Sequence, residues 1–292
     1  MMDETFIKAK AKINLTLNIL GVRSDGDHEL ESVFQSIYLY DEICIQKSET
    51  GNIEIICNNK ALETNNIIHK TYSKIKEKYP EITGVIVKLK KKLPMEAGIG
   101  GGSSDCAYFI IAMNRLFDLK MTKETMKTLG VSLGADVVPC MVGNTMLGRG
   151  IGDKTTYIES NAKYYIILIK PRISISTKEM FKRYDEEKSI VQKNNTKDMI
   201  EALEQESVSG ICESLYNVFE EIIRDKEEVL ECKELLLKAG ANGVLMTGSG
   251  SAVYGIFESR EIAKKTYYEM KKNNKEVYYC MPYYSNKFKE LK

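Results

Sequence analysis

Between Leu93 and Asp105 the chain reads Leu-Pro-Met-Glu-Ala-Gly-Ile-Gly-Gly-Gly-Ser-Ser-Asp, four glycines within five positions running into a stretch of helical periodicity. Residues without side chains let backbone N–H groups close around an anion, and a helix N-terminus adds partial positive charge, so this pattern fits a phosphate cradle. The alternative is a flexible connector. The Lys-Ser/Thr that ends a Walker A loop is missing, and neither spacing nor position is that of a Rossmann fingerprint. Gly248-Ser249-Gly250-Ser251, between two strand-like runs, is a second glycine turn that by itself reads as a hairpin tip.

Two charged residues could act on a phosphate. Lys12 could polarise it or lower a hydroxyl pKa, against the plainer reading of a lysine on a solvated strand face. Asp136, in Gly134-Ala135-Asp136-Val137, sits among apolar residues as a general base, a cap or half of a buried ion pair. His28 follows the Asp25-Gly26 turn and could hydrogen-bond a ligand, whereas His69 reads as surface or core filling. The run Lys88, Lys90, Lys91, Lys92 reads as a solvated strand end. No metal site is expected, because two histidines and scattered cysteines give no zinc spacing. No G-x-S-x-G elbow supports a serine hydrolase.

These residues need elements to place them. Odd positions Ile7 to Ile19 are apolar and even positions Lys8 to Asn18 polar, which predicts a long, half-buried strand with Lys12 and Asn14 on one face. Strand-like runs follow at about 30–39, 42–47, 53–57 and 84–89. A helix is expected from Asn66 to Pro80, a second near Ser104 on Ser-Ser-Asp cap chemistry, and a third from Thr122 to near Gly134. A strand leads from Tyr164 to Pro171, and helices dominate up to Lys238. Strands 243–247 and 252–257, a helix near 260–273 and a strand 276–281 complete a compact α+β unit. The spacing divides the chain into 1–158 and 159–292, with no Pro/Gly/Ser-rich linker between them.

Composition narrows the classes. At 292 residues the chain is long enough for two domains, and Lys+Arg 42 against Asp+Glu 41 leaves a net charge of +1, which argues against nucleic-acid binding through bulk charge. Seven cysteines without a C-x-x-C pair read as reduced thiols, hence a cytoplasmic setting. The N-terminus lacks a signal-peptide pattern, and the longest apolar stretch, Tyr164 to Ile169, is far short of the roughly 20 residues that span a bilayer.

Ala11-Lys12-Ile13-Asn14, Pro94 to Asp105, Gly134-Ala135-Asp136-Val137 and Thr247-Gly248-Ser249-Gly250 occur in the order and spacing of the GHMP small-molecule kinases, which the chain resembles over nearly its full length. The resemblance implies an α+β fold of two domains, ribosomal protein S5 domain 2-like and then ferredoxin-like. It implies an ATP-dependent phosphotransferase with Asp136 as the base and Lys12 as the lysine that orients it and stabilises developing charge. Pro94, Gly98, Ile99, Gly100, Gly101, Gly102, Ser103 and Ser104 would hold the ATP phosphates, with Mg²⁺ arriving on the nucleotide, and Asn66 would lie near the adenine. Ser24 to Leu30 and the Gly-Gly-Gly-Ser-Ser-Asp loop resemble the branch that phosphorylates the 2-hydroxyl of a cytidine diphosphate-linked methylerythritol, in isoprenoid precursor synthesis without mevalonate. Asn14, His28, Thr177, Phe181 and Gly248 would then contact that acceptor. Asp27 departs from the branch, which usually has an aromatic there, so a nearby tyrosine substitutes, or cytidine is held more weakly, or the substrate differs. The alternatives are a homoserine or mevalonate-like kinase of the same fold and a catalytically silent nucleotide-binding regulator. A monomer or weak homodimer without nucleic-acid or membrane partners is expected.

Overall fold

The computed structural model describes residues 3–187, 190, 193–223, 225–273 and 276–285. Eleven strands are found among the described residues. They are β1 (Glu4–Val22), β2 (His28–Ser48), β3 (Ile53–Cys57), β4 (Gly84–Lys90), β5 (Thr145–Gly150) and β6 (Lys154–Tyr157), then β7 (Tyr165–Lys170), β8 (Tyr216–Asn217), β9 (Gly243–Met246), β10 (Val253–Phe257) and β11 (Glu276–Cys280). The helices of the first half are α1 (Ile67–Lys78), α2 (Gly101–Leu116), α3 (Lys123–Val131) and α4 (Val137–Val142). Those of the second are α5 (Thr177–Glu186), α6 (Thr196–Glu204), α7 (Val208–Glu213), α8 (Glu227–Lys238) and α9 (Arg260–Lys272).

The chain divides into two compact units. The first takes the described residues up to Ala11, Leu39–Leu93 and Gly100–Val142; the second takes Lys12–Tyr38, Pro94–Ile99 and the described residues from Gly143 onward. β1, β2 and the glycine loop each pass from one unit into the other.

In the first unit the strands lie in the order β3-β4-β2-β1. β4 is antiparallel to β2, with Ile43 opposite Leu89, and parallel to β3. One face carries α1 to α4, packed through Ile68, Tyr72, Ile75, Cys106, Phe109, Ile110, Met113 and Val137 against Ile43, Ile45, Val85 and Val87. Helix α1 forms where Ile68, Tyr72 and Ile75 fall on one side, and Asn66 starts it by accepting the Ile68 N–H at 3.0 Å.

In the second unit β1 continues beside β2, β5 pairs antiparallel with β2 (Val33 opposite Leu147), and two residues of β8 run parallel to β1. A separate sheet, β11-β7-β10-β9, is antiparallel throughout. Its core gathers Ile167, Ile169, Val253, Phe257 and Val277 with Leu17, Met180, Phe219, Val229, Leu236 and Ala263.

The fold departs from the sequence reading in several places. The runs 30–39 and 42–47 form one strand, β2. The polar face of β1 is not solvated beyond Ala11, since Lys12, Asn14, Thr16 and Asn18 are all buried. Helix α2 begins at Gly101 rather than Ser104, because Gly100 takes the N-cap at φ 69° and Ser104 already donates its N–H to the Gly100 carbonyl. The third helix stops at Val131, and the short β5, β6, β8 and α4 have no sequence signal strong enough to mark them.

Candidate active site

Lys12 stands where β1 enters the second unit and is 3% exposed. Nζ donates to Asn14 Oδ1 at 2.9 Å and to the Gly98 carbonyl at 3.2 Å, and lies 5.4 Å from the centre of the Phe34 ring. The Lys12 backbone N–H donates to the Ile99 carbonyl at 3.1 Å, so the glycine loop is laced to the strand by main chain and side chain together. Burying an ammonium is costly unless its donors are met, and here one acceptor is the Asn14 amide on the same strand and another the Gly98 carbonyl of the phosphate-loop candidate.

Asn14 is the hub of the polar face. Its Nδ2 donates to Ser32 Oγ at 2.8 Å, its N–H to Thr247 Oγ1 at 3.1 Å, and its carbonyl accepts from the Tyr254 hydroxyl at 2.8 Å. The Thr247 hydroxyl lies 3.4 Å from Asn14 Oδ1 and 3.3 Å from the Gly98 carbonyl, within reach of either. Farther along β1, Asn18 donates to Thr196 Oγ1 at 3.0 Å.

The two glycine turns, separate in sequence, meet. A Cβ on Gly98 would lie 2.0 Å from the Thr247 carbonyl oxygen, and one on Gly248 2.8 Å from the Gly98 carbonyl oxygen. Both have left-handed backbones, at φ 71° and 56°. Glycine is therefore required twice over, by conformation and by the approach of one backbone to the other. Asn217 fixes the second turn by donating to the Met246 and Gly248 carbonyls at 2.7 and 2.8 Å. Gly248-Ser249-Gly250 is thus part of the loop assembly and not only a hairpin tip.

In the first unit the returning loop becomes α2. Ser104 spends its hydroxyl on the Lys10 carbonyl at 2.6 Å, which anchors the helix start to β1. A Cβ on Gly102 would meet nothing within 4 Å, so at that residue α2 presents its backbone to open space. The N–H groups of Gly101, Gly102 and Ser103 belong to the orphan donors that open any helix. Asp136 is half-buried directly ahead of α4, its carbonyl accepting the Cys140 N–H at 3.1 Å, and Cys140 Sγ lies 3.8 Å from the Gly100 carbonyl. Within this unit the Asp136 segment and the start of α2 are neighbours through Cys140. Pro94 is buried ahead of the loop, and Asn66 uses both ends of its amide on α1 and the Leu62 carbonyl.

A third group surrounds His28. Its ring stacks on Phe181, centroids 4.6 Å apart at 24°, meets Tyr184 edge-on at 5.9 Å, and its Nε2 is 2.7 Å from Asp185 Oδ1. Phe181 rests edge-on against Phe219 at 5.2 Å, and Thr177 Oγ1 is 2.8 Å from Ser249 Oγ. Helix α5 thus carries Thr177 to the second glycine turn and Phe181 to His28. Asp27 is exposed and takes part in its turn through the backbone, donating to Asp25 Oδ1 at 3.1 Å and accepting from the Arg23 N–H at 2.7 Å.

Sequence reasoning missed Ser32, Thr247, Tyr254 and Asn217 as supports and Asp185 as the partner of His28. Only the Thr-Gly-Ser-Gly turn offered a local signal for any of them. It also placed Lys91 on a solvated strand end, whereas Lys91 is an ion-paired residue between Asp41 and Asp105. Lys88 and Lys90 are exposed as expected, and Lys92 pairs with Glu42. No group of three or more potential metal-ligating residues occurs among the described residues, and no described helix is long and apolar enough to cross a membrane.

Comparison with known proteins bears on this geometry. The family described as GHMP kinases N terminal domain matches residues 66–144, and GHMP kinases C terminal matches 191–276. A protein of Thermoanaerobacter pseudethanolicus named 4-diphosphocytidyl-2-C-methyl-D-erythritol kinase is 38% identical over 92% of this chain and 93% of its own length. A crystal structure titled 4-(cytidine 5'-diphospho)-2C-methyl-D-erythritol kinase superposes with a TM-score of 0.80 at 25% identity, covering 96% of this chain and all of that one. A homoserine kinase from Cytophaga hutchinsonii superposes at 0.76 with 19% identity over 97% and 95% of the two chains, a likeness of fold alone.

Proposed function

This chain belongs to the GHMP kinase family, and from that premise we propose that it transfers the terminal phosphoryl group of ATP to the 2-hydroxyl of 4-diphosphocytidyl-2-C-methyl-D-erythritol. The observation that carries the chemistry is the buried Lys12 ammonium held on the carbonyl of a glycine loop that runs into a helix N-terminus. Phosphoryl transfer asks mainly for positioning and for stabilisation of charge spread over the transferring oxygens. The opening N–H groups of α2 would take the phosphates, and Lys12 the developing charge. The substrate is MgATP, its cation carried on the phosphates, and no step is assigned to the metal. Asp136 would accept the hydroxyl proton; its half-buried position, one turn ahead of the Cys140 whose Sγ lies 3.8 Å from the Gly100 carbonyl, supports that role. Asn66, as the cap of α1, would stand at the adenine side.

The acceptor follows from the name shared by the full-length relatives, and the group of His28, Phe181, Thr177 and the Gly248 turn supports it. A stacked His-Phe pair beside a carboxylate suits a flat, hydrogen-bonding pyrimidine, through aromatic stacking of about 1–3 kcal/mol per base. The two family matches fall on either side of residues 158 and 159, which supports that division of the sequence, while the compact units are interleaved along the chain, with 12–38, 94–99 and 143–158 belonging to the second. Seven scattered cysteines without a C-x-x-C pair support a cytoplasmic setting, and near-zero net charge supports a small-molecule enzyme over one that binds nucleic acid through bulk charge.

The test is ADP release from MgATP by the purified protein with 4-diphosphocytidyl-2-C-methyl-D-erythritol, homoserine, mevalonate or no acceptor. Release that depends on the cytidyl compound, with a product heavier by one phosphoryl group, is the expected result. Activity with another alcohol alone would discard the substrate and keep the chemistry. Nucleotide binding without turnover of any acceptor would favour the silent regulator.

A further inference from the structure

Both stems of the glycine loop end on one cluster of buried charge in the first unit. Asp41, in β2, is 0% exposed; its Oδ1 accepts the N–H groups of Lys92 and Leu93 at 2.5 and 2.9 Å, and its Oδ2 accepts from the Lys91 ammonium. The same ammonium donates to Asp105 Oδ2 at 2.6 Å, and Asp105 is a 2% exposed residue in the second turn of α2. The chain leaves this unit at Leu93 and returns at Gly100. Lys91 therefore joins the outgoing stem to the incoming one, and its Nζ would lie 3.9 Å from a Cβ on Gly101. Asp105 Oδ1 is buried without a hydrogen-bond partner.

Burial works against the Lys91 charge and the two carboxylates outweigh it, raising its pKa, while burial pushes the Asp105 carboxyl up to about 7. Stability alone is a weak reason for such a cluster, because apolar side chains of similar volume are often as stable as buried ion pairs. Ion pairs add direction. A loop with four glycines in five positions has much freedom to lose when it closes on a ligand, and freedom removed in advance is not lost at binding.

We propose that Asp41, Lys91 and Asp105 are positioning residues for the nucleotide, one ammonium shared by two buried carboxylates that locks residues 91–93 to the first turns of α2 so that the N–H groups of Gly101 to Ser103 are aimed before a phosphate arrives. This rests on the reading of the loop as the ATP site.

The variant that separates positioning from bulk stability combines Lys91→Met, Asp105→Leu and Asp41→Asn, which removes all three charges at comparable size and keeps an amide oxygen at position 41 for the N–H groups of Lys92 and Leu93. Expected are a folded protein, amide hydrogen exchange at Gly100–Ser104 faster by about tenfold with 107–116 unchanged, and a KM for MgATP raised about tenfold with kcat within about twofold. Asp105→Ala, which keeps the Asp41–Lys91 pair, serves as the second variant with the same expected direction. Asp105→Asn, which still offers Lys91 an acceptor, should restore most of both. Unchanged exchange in either folded variant overturns the clamp, and faster exchange with an unchanged KM overturns its bearing on the nucleotide. A wild-type protein that turns over no MgATP while the exchange difference persists overturns the kinase reading and leaves the clamp standing.

Discussion

Replacing Lys12 by methionine removes one buried ammonium at nearly constant volume, and the structure fixes what that should do. Nζ serves Asn14 Oδ1 at 2.9 Å and the Gly98 carbonyl at 3.2 Å, and the Thr247 hydroxyl, 3.4 and 3.3 Å from the same two atoms, can serve one of them after the substitution. One acceptor is left short, at a cost of about 1–3 kcal/mol. Against this stands the desolvation of a charge that no longer has to be buried, a gain of similar size. The net change in stability should be within about 2 kcal/mol, or a Tm shift under about 8 °C for a chain of this size. The kinetic effect is larger, because a preorganised group aimed at developing charge is worth about 2.7–4 kcal/mol, or about 10²–10³-fold in kcat. Steady-state ADP release at saturating acceptor, with MgATP varied, should show that loss with KM for MgATP within about threefold. A folded Lys12→Met protein with kcat within about tenfold of wild type would refute the assignment of Lys12 to charge stabilisation. A collapse of the melting temperature would instead make the residue a structural tie of the loop.

Four further outcomes are expected. Asp136→Asn should leave nucleotide affinity within a few-fold and lower kcat by about 10²-fold or more, the scale for a general base, and a near wild-type rate would remove that assignment. Gly98→Ala should unfold the loop assembly or displace it, since its Cβ would sit 2.0 Å from the Thr247 carbonyl oxygen at φ 71°; an alanine variant with unchanged melting temperature and kcat would contradict the packing of the two glycine turns. Asp27→Tyr should lower the KM for the cytidyl substrate with little change in kcat, and an unchanged or raised KM would give Asp27 a role of its own or another ring the stacking role. Because burial raises the Asp105 carboxyl to about 7, the folded protein keeps a proton that the unfolded chain releases near the ordinary carboxylate value, so this contribution to stability is present in acid and lost as pH rises through 7. Thermal melts of wild type and Asp105→Asn between pH 5 and pH 8 should therefore diverge as pH rises, with the asparagine variant losing less, and parallel curves would refute the shift.

Much of the site was legible in residue order. Four glycines in five positions ahead of a helical stretch mark an anion loop because few other uses need so many residues without side chains. Strict alternation along residues 7 to 19 put Lys12 and Asn14 on one face, and Asn66 announced the start of α1 through its cap chemistry. The burial of that face was not legible. Alternation tells which residues share a side and says nothing about what covers it, and the cover here comes from Ser32, Thr247 and Tyr254, up to 240 positions away. The same limit explains Lys91, whose sequence neighbours are exposed lysines and whose partners are 50 and 14 residues distant.

The sequence by itself therefore determined the local elements, the two glycine turns and the residue types able to hold phosphate and move a proton, since these depend on neighbours a few positions apart. Tertiary structure decided that the turns close on each other backbone to backbone, that the Lys12 ammonium is buried on the loop carbonyl, that His28 stacks on Phe181 and that Asp41 and Asp105 share Lys91. Each of those is a contact between segments distant in the chain, set by how sheets and helices pack, and local propensity carries no record of it.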